Sequence, residues 1–509
     1  MIKKIILPLF ISAVALSSCT SDFERINVDP NKPTSLPLEY LLSEAQILVP
    51  ASPDAGAKTQ RVNFAHAACI VQQMSSTDAG FYGGSFYSSA SNTYMFYFDY
   101  SYPNTIKNIV NLIDLSGAPA NVNIHSMARI LKVMEFARLT DLYGDVPYFE
   151  AGRGFIDNNF TPKYDKQQDI YMDMLKELSE AGAAFDDAAA KPTRADYIYT
   201  GDLAKWRKAA NTLMLRLAMR LQKVDPAAAQ TWAARAVAGG LITNADENVT
   251  IHFDGLAGSQ INTNPNSYTL SPVGANVANL NGLLWGKTFI DLMKNRTDPR
   301  LTVVASLKNG NNAADAQVGL PNGITANELI NLPVTDLNNY SRPSTAMLAS
   351  NAPWIYMTYA ESQLLLAEAI ERGYVTGSAA AAFATGQESA IKQVSVYGTT
   401  PSAEAVAAYA AANPYPATDL NAKLNAIHTE IYLVNAVTFN HIEAWANWRR
   451  TGFPVLTPVN PPGNETNGVI PRRLKYSANE YGVNGANVAE AINRQGPDLF
   501  TTKVWWDNN

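Results

Sequence analysis

The chain is poor in the residues that build metal sites and covalent catalytic centres. It contains 2 cysteines and 5 histidines among 509 residues, and the histidines are scattered. Neither a G-x-S-x-G elbow nor an H-E-x-x-H motif is present, and the run GLLWGKT is one residue short of a phosphate loop. We therefore expect no metal site, no cofactor and no enzymatic activity.

Charged residues are scarce as well, at 17% of the chain, with a formal net charge of -6. This mild acidity gives no electrostatic reason to bind nucleic acid. Hydrophobic residues make up 47%, which indicates a globular protein rather than a disordered one. The 24 tyrosines and 8 tryptophans suit a protein that meets uncharged polar ligands, although most of these rings will belong to the core.

The first residues form a targeting segment. Lys3 and Lys4 precede an apolar run at 5–16 that is too short to span a membrane, and the sequence Leu-Ser-Ser-Cys ends at Cys19. A cysteine directly after small residues at a cleavage site resembles the bacterial lipobox, in which the cysteine is joined to diacylglycerol. We therefore predict that Cys19 is lipidated, which leaves Cys69 as a buried thiol without a disulfide partner. The predicted organisation is a lipoprotein signal peptide at 1–18, a lipidated tether at 19–37 and a single domain at 38–509.

The most regular stretch lies near the C-terminus, at 419–458. No Pro or Gly interrupts it between Pro416 and Gly452, so there is room for one long helix. Arg449 and Arg450 suit the negative end of the helix dipole, and Gly452 can take the left-handed cap conformation. A helix of this length has to be buried by other helices. Its apolar residues fall mostly three or four apart and would form the buried stripe: Leu420, Leu424, Ile427, Ile431, Val434, Ile442 and Trp445.

Segments with helical spacing recur along the rest of the chain. We expect helices at 39–49, 60–74, 104–115, 124–142, 169–185, 203–223, 227–238, 281–294, 354–372, 379–396 and 403–412. Residues 244–353 are instead rich in Asn, Gly and Pro and predict an irregular insert, and the chain reads as irregular again after Pro458. The predicted fold class is all-α: helix pairs of tetratricopeptide-like length with a large loop-rich region. The tetratricopeptide consensus itself is poorly matched.

One helix is predicted to end inside the phrase LTDLYGDVPYFEA, at 139–151. Gly144 and Pro147 terminate it, and we expect Asp141 and Asp145 to be turn and cap residues.

This phrase and four others resemble one known family. The others are WIYMTYAESQLLLAEAIER at 354–372, EAWANWRRTGFP at 443–454, IPRRLKYSANEYGVN at 470–484 and GPDLFTTKVWWD at 496–507. Together they are similar to the SusD/RagB family, in its SusD-like lipoprotein branch. The resemblance implies four tetratricopeptide-like units in a lipoprotein of the outer membrane, exposed at the cell surface, that binds glycan nutrients. It also implies a partner, a SusC-like TonB-dependent transporter, to which the oligosaccharide is delivered.

Two loop segments carry the residue types that bind sugars. Sugars present apolar C–H faces ringed by hydroxyls, and proteins meet them with aromatic faces and amide side chains. In the Gly/Ser-rich run DAGFYGGSFYSSAS, at 78–91, we expect aromatic rings that face solvent. The predicted ligand-binding residues are Phe81, Tyr82 and Tyr87 in that run, Asn264 and Tyr268 in INTNPNSYTL, and Trp285 nearby in sequence.

Two alternatives to glycan capture stay open. The same architecture can bind a peptide or another nutrient, and a surface glycosidase is a third possibility. A pair of carboxylates roughly 5–10 Å apart across a cleft would favour the enzyme, whereas an aromatic platform without such a pair would favour binding.

Overall fold

A computed structural model of the chain describes residues 36–50, 58–89, 92–256, 263–270 and 282–508. Cys19, the predicted signal peptide and nearly all of the predicted tether lie outside these residues, as does the side chain of Tyr268. The lipidation of Cys19 therefore stays a prediction.

Most of the described secondary structure is helical. The α-helices are α1 (Leu38–Leu48), α2 (Gly83–Phe86), α3 (Phe96–Tyr100), α4 (Lys107–Leu115), α5 (Val122–Tyr143), α6 (Gly154–Asp157), α7 (Gln167–Ala184), α8 (Leu203–Arg220), α9 (Pro226–Ala238), α10 (Pro265–Leu270), α11 (Lys287–Asn295), α12 (Leu301–Val304), α13 (Tyr359–Glu371), α14 (Ala379–Lys392), α15 (Ala403–Ala412), α16 (Leu420–Val437), α17 (His441–Thr451), α18 (Ala478–Val483) and α19 (Gly485–Gln495). Two π-helical segments, Thr59–Ala68 and Ser101–Ile106, precede α2 and α4. Within the described residues, every helix is too short or too polar to span a lipid bilayer.

Helices that follow one another pack side by side as pairs. The main contacts join α5 to α7, α7 to α8, α8 to α9, and α13 to both α14 and α16. Several helices begin at a side chain that satisfies their free N–H groups: Asp202 accepts hydrogen bonds from the backbone of Ala204 and Lys205 at the start of α8. The paired packing confirms the predicted all-α, tetratricopeptide-like fold class.

The prediction of one long helix in the stretch 419–458 is wrong, because this stretch forms two helices, α16 and α17. The chain breaks between α16 and α17, where Phe439 takes a left-handed conformation with φ +56°. Asn440 holds the break, since its side-chain amide donates to the carbonyls of Ile355 (3.0 Å) and Tyr356 (2.9 Å). The predicted end is confirmed: Gly452 caps α17 with φ +77°. Of the predicted stripe, Leu420 is exposed, Leu424 is half-buried and the other members are buried.

The irregular segment at 244–353 carries most of the strands. Among the described residues, six short strands form three antiparallel pairs: β1 (Met74–Ser75) with β3 (Leu284–Trp285), β2 (Val249–Ile251) with β6 (Trp354–Met357), and β4 (Ala305–Ser306) with β5 (Arg342–Pro343). The β1–β3 pair places Met74 opposite Trp285, so it ties the insert to the N-terminal helices.

The expectation that the chain is irregular after Pro458 is wrong, because α18 and α19 lie there.

The main core is a continuous cluster of apolar side chains that runs through the helix pairs and reaches Trp506, and two small clusters lie apart from it, around Leu320 and around Tyr409. Cys69 is fully buried within the main core, and burial raises the pKa of its thiol to about 12. A thiol with this pKa stays protonated and unreactive.

The core also contains a chain of buried ion pairs. Arg220 donates to Glu443 at 2.5 Å and lies 3.6 Å from Asp141. Asp141 is therefore a buried partner inside α5 that also accepts hydrogen bonds from Tyr171 and Trp506, and the expectation of a turn residue is wrong. Two further buried pairs continue the chain, Arg216 with Glu361 and Arg450 with Glu368.

Candidate functional site

The predicted aromatic loop at 78–91 is folded down onto the protein rather than raised into solvent. Tyr82 is 3% exposed and Tyr87 is 1% exposed. The glycines explain this, because α2 lies directly on the π-helical segment: a Cβ on Gly84 would come within 2.3 Å of the carbonyl oxygen of His66. Phe81 is partly exposed and meets the ring of Tyr82 edge-on, with the ring centroids 5.0 Å apart.

Trp285 lies opposite Met74, shortly before the aromatic loop in sequence, because β3 pairs with β1. Trp285 is nonetheless fully buried: its indole N–H donates to the Val304 carbonyl at 3.0 Å, and its ring stacks on Phe439. Asn264 is buried too, with its side-chain amide donating to the Ala352 carbonyl at 2.6 Å. The expected solvent exposure is therefore wrong for Tyr82 and Tyr87, and Trp285 and Asn264 are buried with them. Ligand contact by these residues stays a prediction.

A groove with exposed aromatic rings lies elsewhere, on the loop between α5 and α7. Phe155 is 83% exposed and Phe160 is 70% exposed, so their ring faces are open to solvent. The cavity beside these rings has a volume of about 430 Å³. A separate cavity of about 900 Å³, the polar cleft, is described below. We call this smaller cavity the aromatic groove; it is lined by Phe98, Tyr102, Pro103, Lys107, Pro147, Gly152, Gly154, Phe155, Asn159, Phe160, Pro162 and Glu480.

Hydrogen bonds fix the loop that carries these rings. Asp165 accepts from the backbone N–H groups of Tyr148 (2.8 Å) and Phe149 (2.9 Å). Glu150 accepts from the side chain of Asn159 (3.0 Å) and the backbone of Lys163 (3.1 Å). Because both ends of the loop are held, Phe155 and Phe160 are presented on a fixed frame.

Glycine lets the loop approach its neighbours closely. Gly152 has φ +72°, and a Cβ there would lie 3.2 Å from the backbone oxygen of Ile106. At Gly154 a Cβ would come within 2.9 Å of the Phe160 ring. The spacing of glycine and aromatic residues in GRGFIDNNF thus shapes the groove, and it is a signal that the sequence analysis missed.

Polar groups lie next to the exposed rings. The Lys107 ammonium is 5.9 Å from the centroid of Phe155. Glu480 accepts a hydrogen bond from the Tyr164 hydroxyl at 2.8 Å, and burial raises the pKa of its carboxyl group against the lowering effect of that bond. The groove can therefore offer flat apolar faces, a cation and a hydrogen-bond acceptor to one ligand.

The described lining of the aromatic groove contains no pair of facing carboxylates. Glu480 is the single carboxylate among the described residues that line it. A glycoside hydrolase needs two carboxyl groups that flank the scissile bond. The described lining of the aromatic groove therefore lacks the pair of carboxylates that was expected to favour the enzyme.

The larger cavity, which we call the polar cleft, lies between the segment that follows α9 and the pair α13–α14. Its lining is mainly polar or charged and includes Lys205, Asn248, His252, Tyr359, Glu388 and Lys392. Lys392 pairs with Glu388 at 2.5 Å, so part of this charge is neutralised locally. In the part of the chain that the structure describes, no three His, Cys, Asp or Glu side chains are grouped as a metal site would require.

The chain is similar to one protein family and to several solved structures. A family model described as SusD-like_2, starch-binding associating with outer membrane, matches residues 30–477. A structure described as a chitin-binding protein has 34% sequence identity and a TM-score of 0.82, and the match covers 93% of this chain and 100% of that one. No curated protein sequence matches the chain.

Two further structures come from named organisms. A chitin-binding SusD homolog from Flavobacterium johnsoniae is 25% identical with a TM-score of 0.77, over 93% of this chain and 99% of its own. A SusD homolog from Bacteroides uniformis is 26% identical with a TM-score of 0.76, over 92% of this chain and 100% of its own.

Proposed function

Since the chain belongs to the SusD-like family of outer-membrane-associated, starch-binding proteins, we propose that it captures oligosaccharides at the cell surface and delivers them to a SusC-like TonB-dependent transporter. The proposed mechanism is reversible binding, in which no covalent bond is made or broken. The partners are the oligosaccharide, the transporter and, through the Cys19 lipid anchor, the outer membrane.

The observation that carries the proposal is the exposure of Phe155 and Phe160 on a groove of about 430 Å³. Large rings this exposed are costly on a protein surface unless they meet a partner. A sugar ring can lie on such a face through its C–H groups, while Lys107 and Glu480 bind its hydroxyls. We therefore propose the aromatic groove as the principal ligand site.

Chitin fragments are the first ligand class to test. The structure with 34% identity is described as a chitin-binding protein, and the Flavobacterium johnsoniae homolog is described in the same way. A peptide or another nutrient in the same groove is the alternative. A glycosidase is less well supported, because Glu480 lacks a second carboxylate among the described lining residues.

Phe81 and Tyr268 remain proposed secondary contacts. Phe81 keeps part of its ring exposed at the edge of the loop, whereas Tyr82, Tyr87 and Trp285 are closed off by packing. A role for these three in binding requires the loop to open.

Calorimetry with chito-oligosaccharides, malto-oligosaccharides and short peptides tests the proposed site. Phe155→Ala and Phe160→Ala should each raise the dissociation constant about tenfold, since one stacked ring contributes on the order of 1.4 kcal/mol. The melting temperature should not change, because both rings are exposed. Tyr40→Ala is the matched control, since it removes an exposed ring from α1.

Three results would contradict the proposal in different ways. Unchanged affinity in the Phe155→Ala/Phe160→Ala double variant would move the site away from the groove. Binding of peptides alone would favour the alternative ligand class. If the chain is purified from detergent-extracted outer membranes and no TonB-dependent transporter co-purifies with it, the proposed partner is contradicted.

A further inference from the structure

A third cavity, of about 380 Å³, lies beside the C-terminal residues, where α7 begins. Trp505 forms one wall, and its partly exposed ring packs at 6.3 Å from the ring of Tyr171. Lys166, Arg494 and Lys503 contribute cationic groups to the lining, and Asp145 contributes a carboxylate. We call this cavity the Trp505 pocket.

The pocket carries a surplus of positive charge in an acidic protein. Asp145 accepts from Arg494 at 3.1 Å, so these two charges neutralise each other. Lys166 and Lys503 are exposed, and neither forms an ion pair with any residue that the structure describes. The chain as a whole has a formal net charge of -6. Two uncompensated lysines at one cavity therefore give it a local charge opposite in sign to the net charge of the protein.

Charge from further residues adds to this excess. Lys223 has a lowered pKa, first because burial removes it from water and then because Arg472 and Lys503 are near, although Asp507 opposes the shift. The first turn of α7 contributes Gln167 to the lining, but its backbone N–H donates to Asp145 at 2.9 Å, so the uncompensated positive charge of the pocket comes from the lysines. The field in the pocket therefore favours an anion.

The shape and chemistry of the lining narrow the class of anion. A partly exposed indole offers a flat face that suits a sugar ring, and the exposed amide of Gln168 can bond hydroxyls. A small inorganic ion would use the lysines but leave the indole without a partner. We propose that the Trp505 pocket binds an anionic sugar residue, one that carries a carboxylate, sulfate or phosphate group, with its ring on Trp505 and its anionic group held by Lys166 and Lys503.

This pocket is distinct from the aromatic groove and does not depend on it. It extends the ligand range from neutral oligosaccharides to acidic ones. Two sources can supply such a residue: a soluble acidic oligosaccharide or the phosphorylated sugar headgroup of an outer-membrane glycolipid.

The test compares charged and neutral sugars of the same length on the full chain in detergent. We expect trigalacturonate to bind at least about tenfold more tightly than a neutral galactose trisaccharide at low salt, and added salt should reduce the difference. The Lys166→Gln/Lys503→Gln double variant should lose this preference. Lys308→Gln, which removes an exposed lysine elsewhere on the surface, should keep it.

A second arm separates the two sources. Vesicles with and without lipid A are mixed with the full chain and with both lysine variants in turn. One outcome is that the chain binds only vesicles with lipid A, needs Lys166 and Lys503 to do so, and does not bind trigalacturonate. This outcome assigns the pocket to a membrane headgroup. Equal affinity for the neutral and acidic trisaccharides together with no lipid A dependence would overturn the proposal, and so would a double variant that behaves like the parent chain. Loss of the proposed glycan groove would weaken the acidic and the neutral trisaccharide alike, whereas failure here removes only the difference in affinity between them, so the two failures are distinguishable.

Discussion

The guanidinium group of Arg220 on α8 and the carboxylate of Glu443 on α17 form a buried ion pair at 2.5 Å, across 223 residues of sequence. Burial alone would raise the pKa of the Glu443 carboxyl group, but the nearby Arg220 and Arg216 outweigh it and lower that pKa. The pair joins the N-terminal helix pairs to the C-terminal ones.

Removing one partner of this pair should destabilise the protein strongly. Glu443→Gln leaves the Arg220 charge buried without its main counter-charge, which should lower the free energy of unfolding by about 3–5 kcal/mol. Chemical denaturation measures the change. The control is Glu388→Gln, which breaks the exposed pair with Lys392 and should cost less than about 1 kcal/mol. Equal effects of the two variants would mean that the buried pair is not a structural link.

Trp445→Ala should also lower the free energy of unfolding, by about 3–5 kcal/mol, because it deletes a large ring from the core. Trp445 is fully buried, and its indole N–H donates to the Pro471 carbonyl at 3.0 Å. Leu420→Ala is the control from the same predicted stripe, since Leu420 is 47% exposed and should cost little. Thermal unfolding of both variants checks this, and an unchanged melting temperature for Trp445→Ala would contradict the packing.

Acid should destabilise the protein partly through His441. Burial lowers the pKa of His441 to about 3, so the folded protein keeps this ring neutral. The unfolded chain protonates it below about pH 6.5, and stability is therefore lost as pH falls from about 6.5 towards 3, by about 1.4 kcal/mol per pH unit. His441→Gln should reduce the slope of stability against pH in this window.

The matched control for that measurement is His252→Gln, because the His252 side chain is exposed. A His441→Gln variant with the parent's slope would show that His441 is not the group that titrates.

The Cys19→Ala variant should lose its lipid anchor. We expect the parent chain to incorporate a radioactive fatty acid and to sediment with the outer membrane, whereas the variant stays unprocessed or leaves the membrane fraction. Cys69→Ala is the control, since its thiol is buried in the core. Equal labelling of parent and Cys19→Ala would rule out lipidation at this position.

Much of the helical scaffold could be predicted because helix ends and faces follow local rules. The capping of α17 by Gly452 and the burial of Trp445 both followed from spacing and composition. The break at Phe439 could not be predicted in this way, since no Pro or Gly marks it. It is imposed by tertiary contacts, chiefly the bonds from Asn440 to Ile355 and Tyr356.

The candidate site was harder to predict for a related reason. A Gly-rich run with aromatic residues indicates either a raised loop or a backbone pressed closely against its neighbour, and composition does not separate the two. The backbone is pressed closely at both Gly84 and Gly152, yet Tyr82 is buried whereas Phe155 and Phe160 are exposed.

Hydrogen bonds between residues 63–73 and residues 432–441 have a consequence for how the chain acquires its structure. Tyr432 and His441 bind Val71 and Gln73, more than 350 residues away, and Asn63 donates to the Phe439 carbonyl. Contacts so distant in sequence make folding slow, because long loops must close before the contacts form. The helices near residue 70 cannot complete their packing until the segment near residue 441 is available. Most of the chain therefore stays incompletely packed until its C-terminal third can fold, so the yield of folded protein should depend on protection from aggregation as well as on its final stability.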